Sequence, residues 1–505
     1  MSMNISWGYS PKIEKFIPLG DFPMDRYLII ARQVIENLGW NLSHISERGI
    51  IAYTPISLQS YSEEISMRIE NNFAIIKSEC VGIQLLFNDY GKNALNLQQF
   101  FDEFEYVEFH LKGVWEESLA KFHDFVDTQD HDYFEKAPLT AKNKIKNVFY
   151  LFLPQKNYVA TPILILANSS YFIFSIIFTA LFVSYLLATK QPISNIEKVS
   201  YYMGANSRDL VLIGQYWRLI TYQFVNISIF HLFFNMYALA YIGLMVENKL
   251  GIKKYVSTYI ISGICGGLLS LVYHESGYMA GASGAIMGLF GAFLALLLSK
   301  AFEKNATKAL LISTVSVLAI MLINGGLKQR VDNAAHVGGL ISGFIIGYIL
   351  YNDKLWKWQL SSAIRYAIVG CLALLFTVVL LQRTPKIQTK EFLALEKKYK
   401  QNWTTYGTIF RLPAELPTGK KLTIVQVKGI DLWKENEELV KQMLSLKLTK
   451  EQRFKAEFHA KVAKIESRIV VLLYKECAES TKYYRREIRE LTRELNALRI
   501  ETVKD

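Results

Sequence analysis

Seven apolar runs occupy the middle of this 505-residue chain, at about 162–187, 229–246, 255–274, 282–299, 308–324, 334–351 and 364–382. Each is close to the ~20 residues that a helix needs to cross hydrocarbon. Lipid offers backbone groups no hydrogen bonds, so runs of this length commit the centre of the chain to a bundle of membrane helices. The whole chain is nevertheless only 51% hydrophobic. Substantial soluble parts must therefore flank the bundle.

The connections fix a direction. Lys249, Lys253 and Lys254 follow the second run, Lys300, Lys304 and Lys308 the fourth, and Lys354, Lys357 and Arg365 separate the sixth from the seventh. The opposite connections are poor in charge: YHESGYMAGA has no Lys or Arg, and the fifth-to-sixth has only Lys328 and Arg330. Basic loops stay in the cytoplasm, which puts the N-terminus there and, after seven crossings, the C-terminus outside. The net charge of +12 belongs largely to such loops and linkers; no basic stripe with interleaved aromatics points to nucleic acid. Cys80, Cys265, Cys371 and Cys477 are far apart and form no CxxC, which argues against a disulfide framework or a zinc site. The first residues, MSMNISWGYSPKIEKF, lack the apolar core of a secretory signal.

Residues 1–130 read as a small α+β domain. DFPMDRYLIIARQVIENLG has helical spacing between an Asp start and a Gly stop. GIIAYTP, EEISMRIE and NFAIIKSECVGI read as strands, and NLQQFFDEFEYVEFHL as a second helix. HDFVDTQDHDY (123–133) gathers His and Asp, but has no pair of histidines at helical spacing and reads as a solvated linker. A basic linker follows over 131–160, through Lys136, Lys142, Lys144, Lys146 and Lys156. Residues 386–505 are charged and helical in pattern, with a capping box at Thr449 and Gln452, and predict two or three packed helices.

Ionisable and polar groups are costly in a bilayer, and those that persist usually face a cavity and act there. Three places carry them. The second run contains HLFFN, with His231 and Asn235 on one helix face. The fourth opens with GASG around Ser283, and the sixth with NAAHVGGLISG, carrying His336. All three runs cross in the same direction, so the three sites share a depth below the outer surface. A serine needs a base, which a neutral imidazole supplies. His231, Asn235 and the Ser283 amide are candidate donors to an oxyanion. Gly281 and Gly284 permit close approach of the Ser283 helix, and Gly339 and Gly343 form a GxxxG one turn below His336. Such packing predicts Ser283 Oγ within ~3 Å of His336.

These segments resemble the rhomboid family of intramembrane serine proteases. GASGAIMGLFG is similar to its GxSG nucleophile segment, NAAHVGGLISG to its AHxxGxxxG segment, and HLFFNMYALAYIGLMVENKLG to its HxxxN helix with a following Glu. QYWRLITYQFVN resembles the WR motif of its first loop, at Trp217 and Arg218. The resemblance covers about 160–355. It implies a six-helix core (161–355) plus a seventh transmembrane helix (356–385), an α-helical polytopic membrane fold flanked by the cytoplasmic domain and an extracytoplasmic tail (386–505). It implies Ser283 as nucleophile, His336 as base and no third carboxylate, with His231, Asn235 and the Ser283 amide around the oxyanion. Trp217, Arg218 and Glu247 would be structural. Two positions depart from the family: Met287 stands where an aromatic often stacks on the histidine, and Asn226 where a further His is common.

The implied activity is endoproteolysis of transmembrane proteins near the outer membrane face, in a bacterial cell membrane, with no metal or cofactor. The partners are the substrates, the bilayer, and regulatory or adaptor proteins on the flanking domains. NGGLKQRVDN, between the fifth and sixth runs, reads as a mobile cap over the site. Two other classes compete. A catalytically silent relative that binds membrane helices in quality control would lack Ser or His, and both are present. A proton-relaying transporter would show an acidic relay or an inverted repeat, and neither is seen.

Overall fold

The computed structural model describes residues 11–57, 61–82, 88–110, 152–190, 198–274, 277–327, 332–355, 358–384, 387–413 and 415–504, with isolated positions between them. Most of the stretch 123–133, the linker up to 149 and residues 328–331 lie outside the described residues.

The N-terminal domain is a five-stranded antiparallel sheet ordered β1-β5-β4-β3-β2. Its strands are β1 (Lys12–Pro18), β2 (Asn41–Ser46), β3 (Gly49–Tyr53), β4 (Glu63–Glu70) and β5 (Phe73–Cys80). Helices α1 (Met24–Asn37) and α2 (Lys92–His110) pack on it around Ile30, Val34, Ile65, Ile76 and Phe100. The three expected strands and two helices are present, and β1 and β2 are additional. Both additions are edge strands, where one ladder is missing and apolar alternation is weakest. Phe122 and Val126, inside or beside the stretch expected as linker, are helical and buried in this domain's core.

All seven apolar runs form helices: α3 (Ala160–Ala188), α7 (Ile229–Leu250), α8 (Ile252–Tyr273), α9 (Ser283–Leu298), α10 (Lys304–Leu327), α11 (Asn333–Tyr351) and α12 (Ser362–Arg383). Six are long and apolar enough to cross a membrane; α9, with 16 residues, is shorter. Short helices α4 (Lys198–Tyr202), α5 (Arg208–Leu212) and α6 (Arg218–Thr221) punctuate the first loop. The expected cap loop is shorter than predicted, because α10 continues through Leu327 and takes Asn324–Leu327 of NGGLKQRVDN into helix.

The bundle closes around α9, whose residues from Gly284 to Phe293 are all buried. α3 instead exposes Ile173, Phe174, Ile177 and Leu181, as a helix facing lipid does. The seventh helix, α12, is held at its start, where Arg365 donates to Leu350 O at 3.0 Å, and leaves Leu372, Leu374 and Leu375 exposed.

A second compact unit comprises 206–218, 271–278 and 382–505. Its tail holds α13 (Thr389–Tyr406), α14 (Thr418–Val425), a π-helical turn (Gln426–Asp431), α15 (Leu432–Ser445), α16 (Lys450–Ala478) and α17 (Arg485–Lys504). That is five α-helices rather than two or three. Trp433 is fully buried at its centre, with the rings of Tyr399, Trp403 and Tyr406 5.3–6.2 Å away. The capping box at Thr449 is formed: its hydroxyl accepts from Gln452 N at 3.1 Å, and Gln452 Oε1 accepts from Thr449 N at 3.2 Å. Gln452 Nε2 and Thr389 Oγ1 both lie 3.4 Å from the carboxylate of Asp209 in α5, so the tail grips the first loop. Burial raises the Asp209 carboxyl above its ordinary range.

Candidate active site

The site is assembled from the first turns of three membrane helices. In α7, Ser228 is the N-cap and its hydroxyl accepts from His231 N at 3.1 Å, which fixes His231 as the third helical residue. Gly251, at φ +75°, ends the same helix. In α11, Asp332 is the N-cap, its Oδ1 accepting from Ala335 N at 2.9 Å, and His336 follows at once. α9 begins at Ser283 with no side-chain cap. Its first amides therefore have no partner within the helix, and they carry the positive end of the dipole.

His336 Nε2 lies 2.9 Å from Ser283 Oγ. His336 is buried and Ser283 is partly open. His336 Nδ1 is buried and makes no hydrogen bond among the described residues. Among the described residues no carboxylate hydrogen-bonds to the imidazole.

What brings the two residues together is a glycine seam. A Cβ on Gly339 would stand 2.0 Å from Gly284 O, one on Gly343 2.0 Å from Gly288 O, and one on Gly291 2.1 Å from Leu340 O. No real Cβ tolerates such distances, so α9 and α11 meet backbone to backbone. Gly284, Gly339 and Gly343 were legible as packing positions. Gly288, Gly291 and Gly347 extend the seam and were missed, although the four-residue repeat at Gly339, Gly343 and Gly347 is visible in the sequence.

Gly281 serves differently. At φ +132° it adopts backbone that only glycine takes readily, and its Cβ would fall 2.7 Å from His231 Cε1 and 3.7 Å from Asn235 Nδ2. The loop before Ser283 is thus pressed against both expected oxyanion residues. Gly281 N donates to Tyr222 O at 3.0 Å, which holds that loop. Ile227 N points at His231 Nδ1 from 3.5 Å, which leaves the ring proton for Nε2, the nitrogen facing Gly281.

Asn235 is buried, and its Nδ2 donates one hydrogen to Asn226 Oδ1 at 3.0 Å. Asn226 Nδ2 in turn donates to Asn168 Oδ1 of α3 at 3.2 Å. The residue that departs from the family pattern therefore belongs to a chain that turns the Asn235 amide. Asn168 was missed; a lone Asn in an apolar run was the available signal.

The other expected residues lie apart from this cluster. Met287 is fully buried within the membrane core. Glu247 is completely buried at the far end of α7, and receives Val159 N (2.6 Å), Ala160 N (2.8 Å), Thr161 N (2.9 Å) and Thr161 Oγ1 (2.7 Å). It closes the N-terminus of α3. In the second unit, the buried Arg218 guanidinium stands 4.5 Å over the ring of the half-exposed Trp217 and donates to Gln215 Oε1 at 2.7 Å. No cluster of His, Cys, Asp and Glu suited to a metal occurs among the described residues.

A multi-pass membrane bundle that pairs a serine with a histidine across a glycine seam defines a small class of proteins. The family model of the rhomboid domain matches residues 213–353. RHOMBOID-like protein 7 of Arabidopsis thaliana is 36% identical over 148 residues, 29% of this chain and 46% of its own length. Rhomboid protease GluP of Bacillus subtilis is 32% identical over 222 residues, 43% of this chain and 41% of its own. Rhomboid-like protease 1 of Toxoplasma gondii is 30% identical over 211 residues, 39% of this chain and 71% of its own. The chain belongs to the rhomboid family. The matched segment spans about half the length of the plant relatives.

Proposed function

We propose that this chain is an intramembrane serine endopeptidase acting on transmembrane proteins, with Ser283 as nucleophile and His336 as general base. The 2.9 Å contact between His336 Nε2 and Ser283 Oγ carries the reading. At that distance the imidazole takes the hydroxyl proton as Oγ attacks the scissile carbonyl carbon, then passes it to the leaving amine. Water, activated by the same nitrogen, releases the acyl group from Oγ. The negative oxygen of each tetrahedral intermediate is met by the uncapped amides at the start of α9, the Nε2 proton of His231 and the second Nδ2 hydrogen of Asn235.

Attack requires an extended peptide, so a substrate helix has to unwind where it is cut; Gly or Pro near that point eases this. On the charge bias of the loops, the site opens toward the outer face of the membrane, which is proposed as a bacterial cell membrane. The N-terminal domain then lies in the cytoplasm and the tail outside. The flanking domains are the parts suited to adaptor or regulatory partners.

The test is cleavage of a single-span membrane protein in liposomes, together with labelling by a fluorophosphonate. Wild type cleaves and is labelled; Ser283→Ala does neither, and His336→Ala loses cleavage while remaining folded. Cleavage retained by Ser283→Ala sinks the serine mechanism. Substrate binding with neither cleavage nor labelling in wild type assigns the chain to silent, helix-binding relatives instead.

A further inference from the structure

We propose that Asp332 is a positioning residue for His336, acting through the backbone of α11 and anchored by Ser270 of α8. The inference rests on the serine-protease reading above. The imidazole of His336 has one hydrogen bond, to Ser283, and its Nδ1 has none among the described residues. Among the described residues, no polar group other than Ser283 holds the ring. Its place must come from the backbone that carries it.

That backbone is pinned at the residue four before it. Asp332 Oδ1 accepts from Ala335 N at 2.9 Å, and Asp332 O accepts from His336 N at 3.2 Å. Its other carboxylate oxygen, Oδ2, accepts from the Ser270 hydroxyl on α8. One carboxylate therefore ends α11 and ties that end to a second membrane helix. Two further contacts complete the fixture. Asn333 Nδ2 donates to Leu322 O of α10 at 2.9 Å, and a Cβ on Gly266 of α8 would stand 2.6 Å from Ala335 O. The first turn of α11 is thus clamped between α8 and α10, while the glycine seam holds the turns below it against α9.

In the soluble serine hydrolases a carboxylate touches the imidazole and sets its orientation. Here the carboxylate sits one turn earlier and acts on the helix that bears the ring. The arrangement sets height and rotation together, and an error of ~1 Å in either would open the contact to Ser283.

Asp and Asn cap helices about equally well, whereas Ala does not. The experiment measures kcat and KM for a single-span substrate, fluorophosphonate labelling and thermal midpoint on the full chain in detergent. Asp332→Ala should lower kcat ~10- to 100-fold with KM within ~2-fold, and slow labelling in parallel. Asp332→Asn should restore kcat to within ~3-fold of wild type, and Ser270→Ala, which keeps the cap and cuts only the anchor, should lose ~3- to 10-fold at an unchanged midpoint. If Asp332→Ala does not fold, the other two variants decide. Asp332→Ala folded and as active as wild type overturns the proposal, as does Ser270→Ala with unaltered kcat. Asp332→Asn as slow as a folded Asp332→Ala overturns it too, because charge rather than capping would then matter. Wild type that is neither labelled nor active overturns the protease reading itself, and this inference with it.

Discussion

Glu247 holds the start of α3 through Thr161: its Oε2 accepts both the amide, at 2.9 Å, and the hydroxyl, at 2.7 Å, of that one residue. A fully buried carboxylate with four donors joins the end of one membrane helix to the beginning of another. Replacing it takes the shared acceptor from four donors in a largely buried setting, where the Thr161 hydroxyl alone of the four side-chain and backbone groups also meets Tyr255 Oη, at 2.9 Å. Glu247→Ala should cost about 3 kcal/mol or more of stability, and Glu247→Gln less, since an amide oxygen still accepts. Thermal unfolding in detergent reads both, and an unchanged midpoint for the Ala variant would contradict the cap.

The glycine seam makes a sharper demand. Gly343→Ala should separate α9 from α11 and lower activity by ~100-fold or more, because the new methyl meets a backbone oxygen that cannot rotate away. Gly370 in α12 is the control: a Cβ there meets nothing within 4 Å, and Gly370→Ala should be neutral or stabilising by up to ~1 kcal/mol.

Asn226 turns the amide of Asn235 without reaching Ser283 among the contacts of the described residues. Asn226→Ala should therefore lower kcat by ~10-fold and leave KM nearly unchanged, on the proposed oxyanion role of Asn235. A pure KM effect would move Asn226 to substrate binding.

In the tail, a hydrogen bond from His459 and a second from Lys400 hold the Glu396 carboxyl down at about 2. A folded value below the unfolded one stabilises the tail above pH 4.5, and that contribution is lost as pH falls through about 2. Glu396→Gln should remove about 2 kcal/mol at neutral pH and flatten the acid limb of unfolding, followed by tryptophan fluorescence of the full chain.

Asp209 works in the opposite sense. Its folded value is raised, chiefly by burial, so its contribution is complete below the unfolded value of 3.8 and is lost as pH rises through the folded one. Asp209→Asn removes the charge and resembles the protonated acid, with one accepting oxygen where the carboxylate uses one for Thr389 and one for Gln452. It should raise the midpoint of the tail at pH 7 and have little effect at pH 3. An equal shift at both values would mean that charge plays no part.

The membrane helices were legible because lipid imposes one requirement on every residue of a crossing segment, and the runs announce it. Ser283, His336, His231 and Asn235 stood out as polar residues in apolar surroundings. The supporting residues did not. Asp332 and Ser270 sit at helix ends, where polar residues are ordinary, and only the fold makes them partners across 62 positions. The edge strand β1 escaped notice for a related reason: KIEKFIP leaves most of its side chains exposed and has little alternation to read. In the tail, α14 and the following π-turn are too short to show a period.

The brevity of α9 has a consequence for the lipid. Sixteen residues rise about 24 Å, whereas hydrocarbon is about 30 Å thick. A helix of that length leaves some 6 Å of bilayer unspanned, and with its Leu298 end at the inner boundary the deficit falls on the proposed outer side. In a thin membrane that deficit shrinks and the serine rises toward the headgroups; in a thick one it sinks. The lipid would then choose which rung of a passing helix comes level with Ser283, so that one sequence could cut the same substrate at different heights in different membranes.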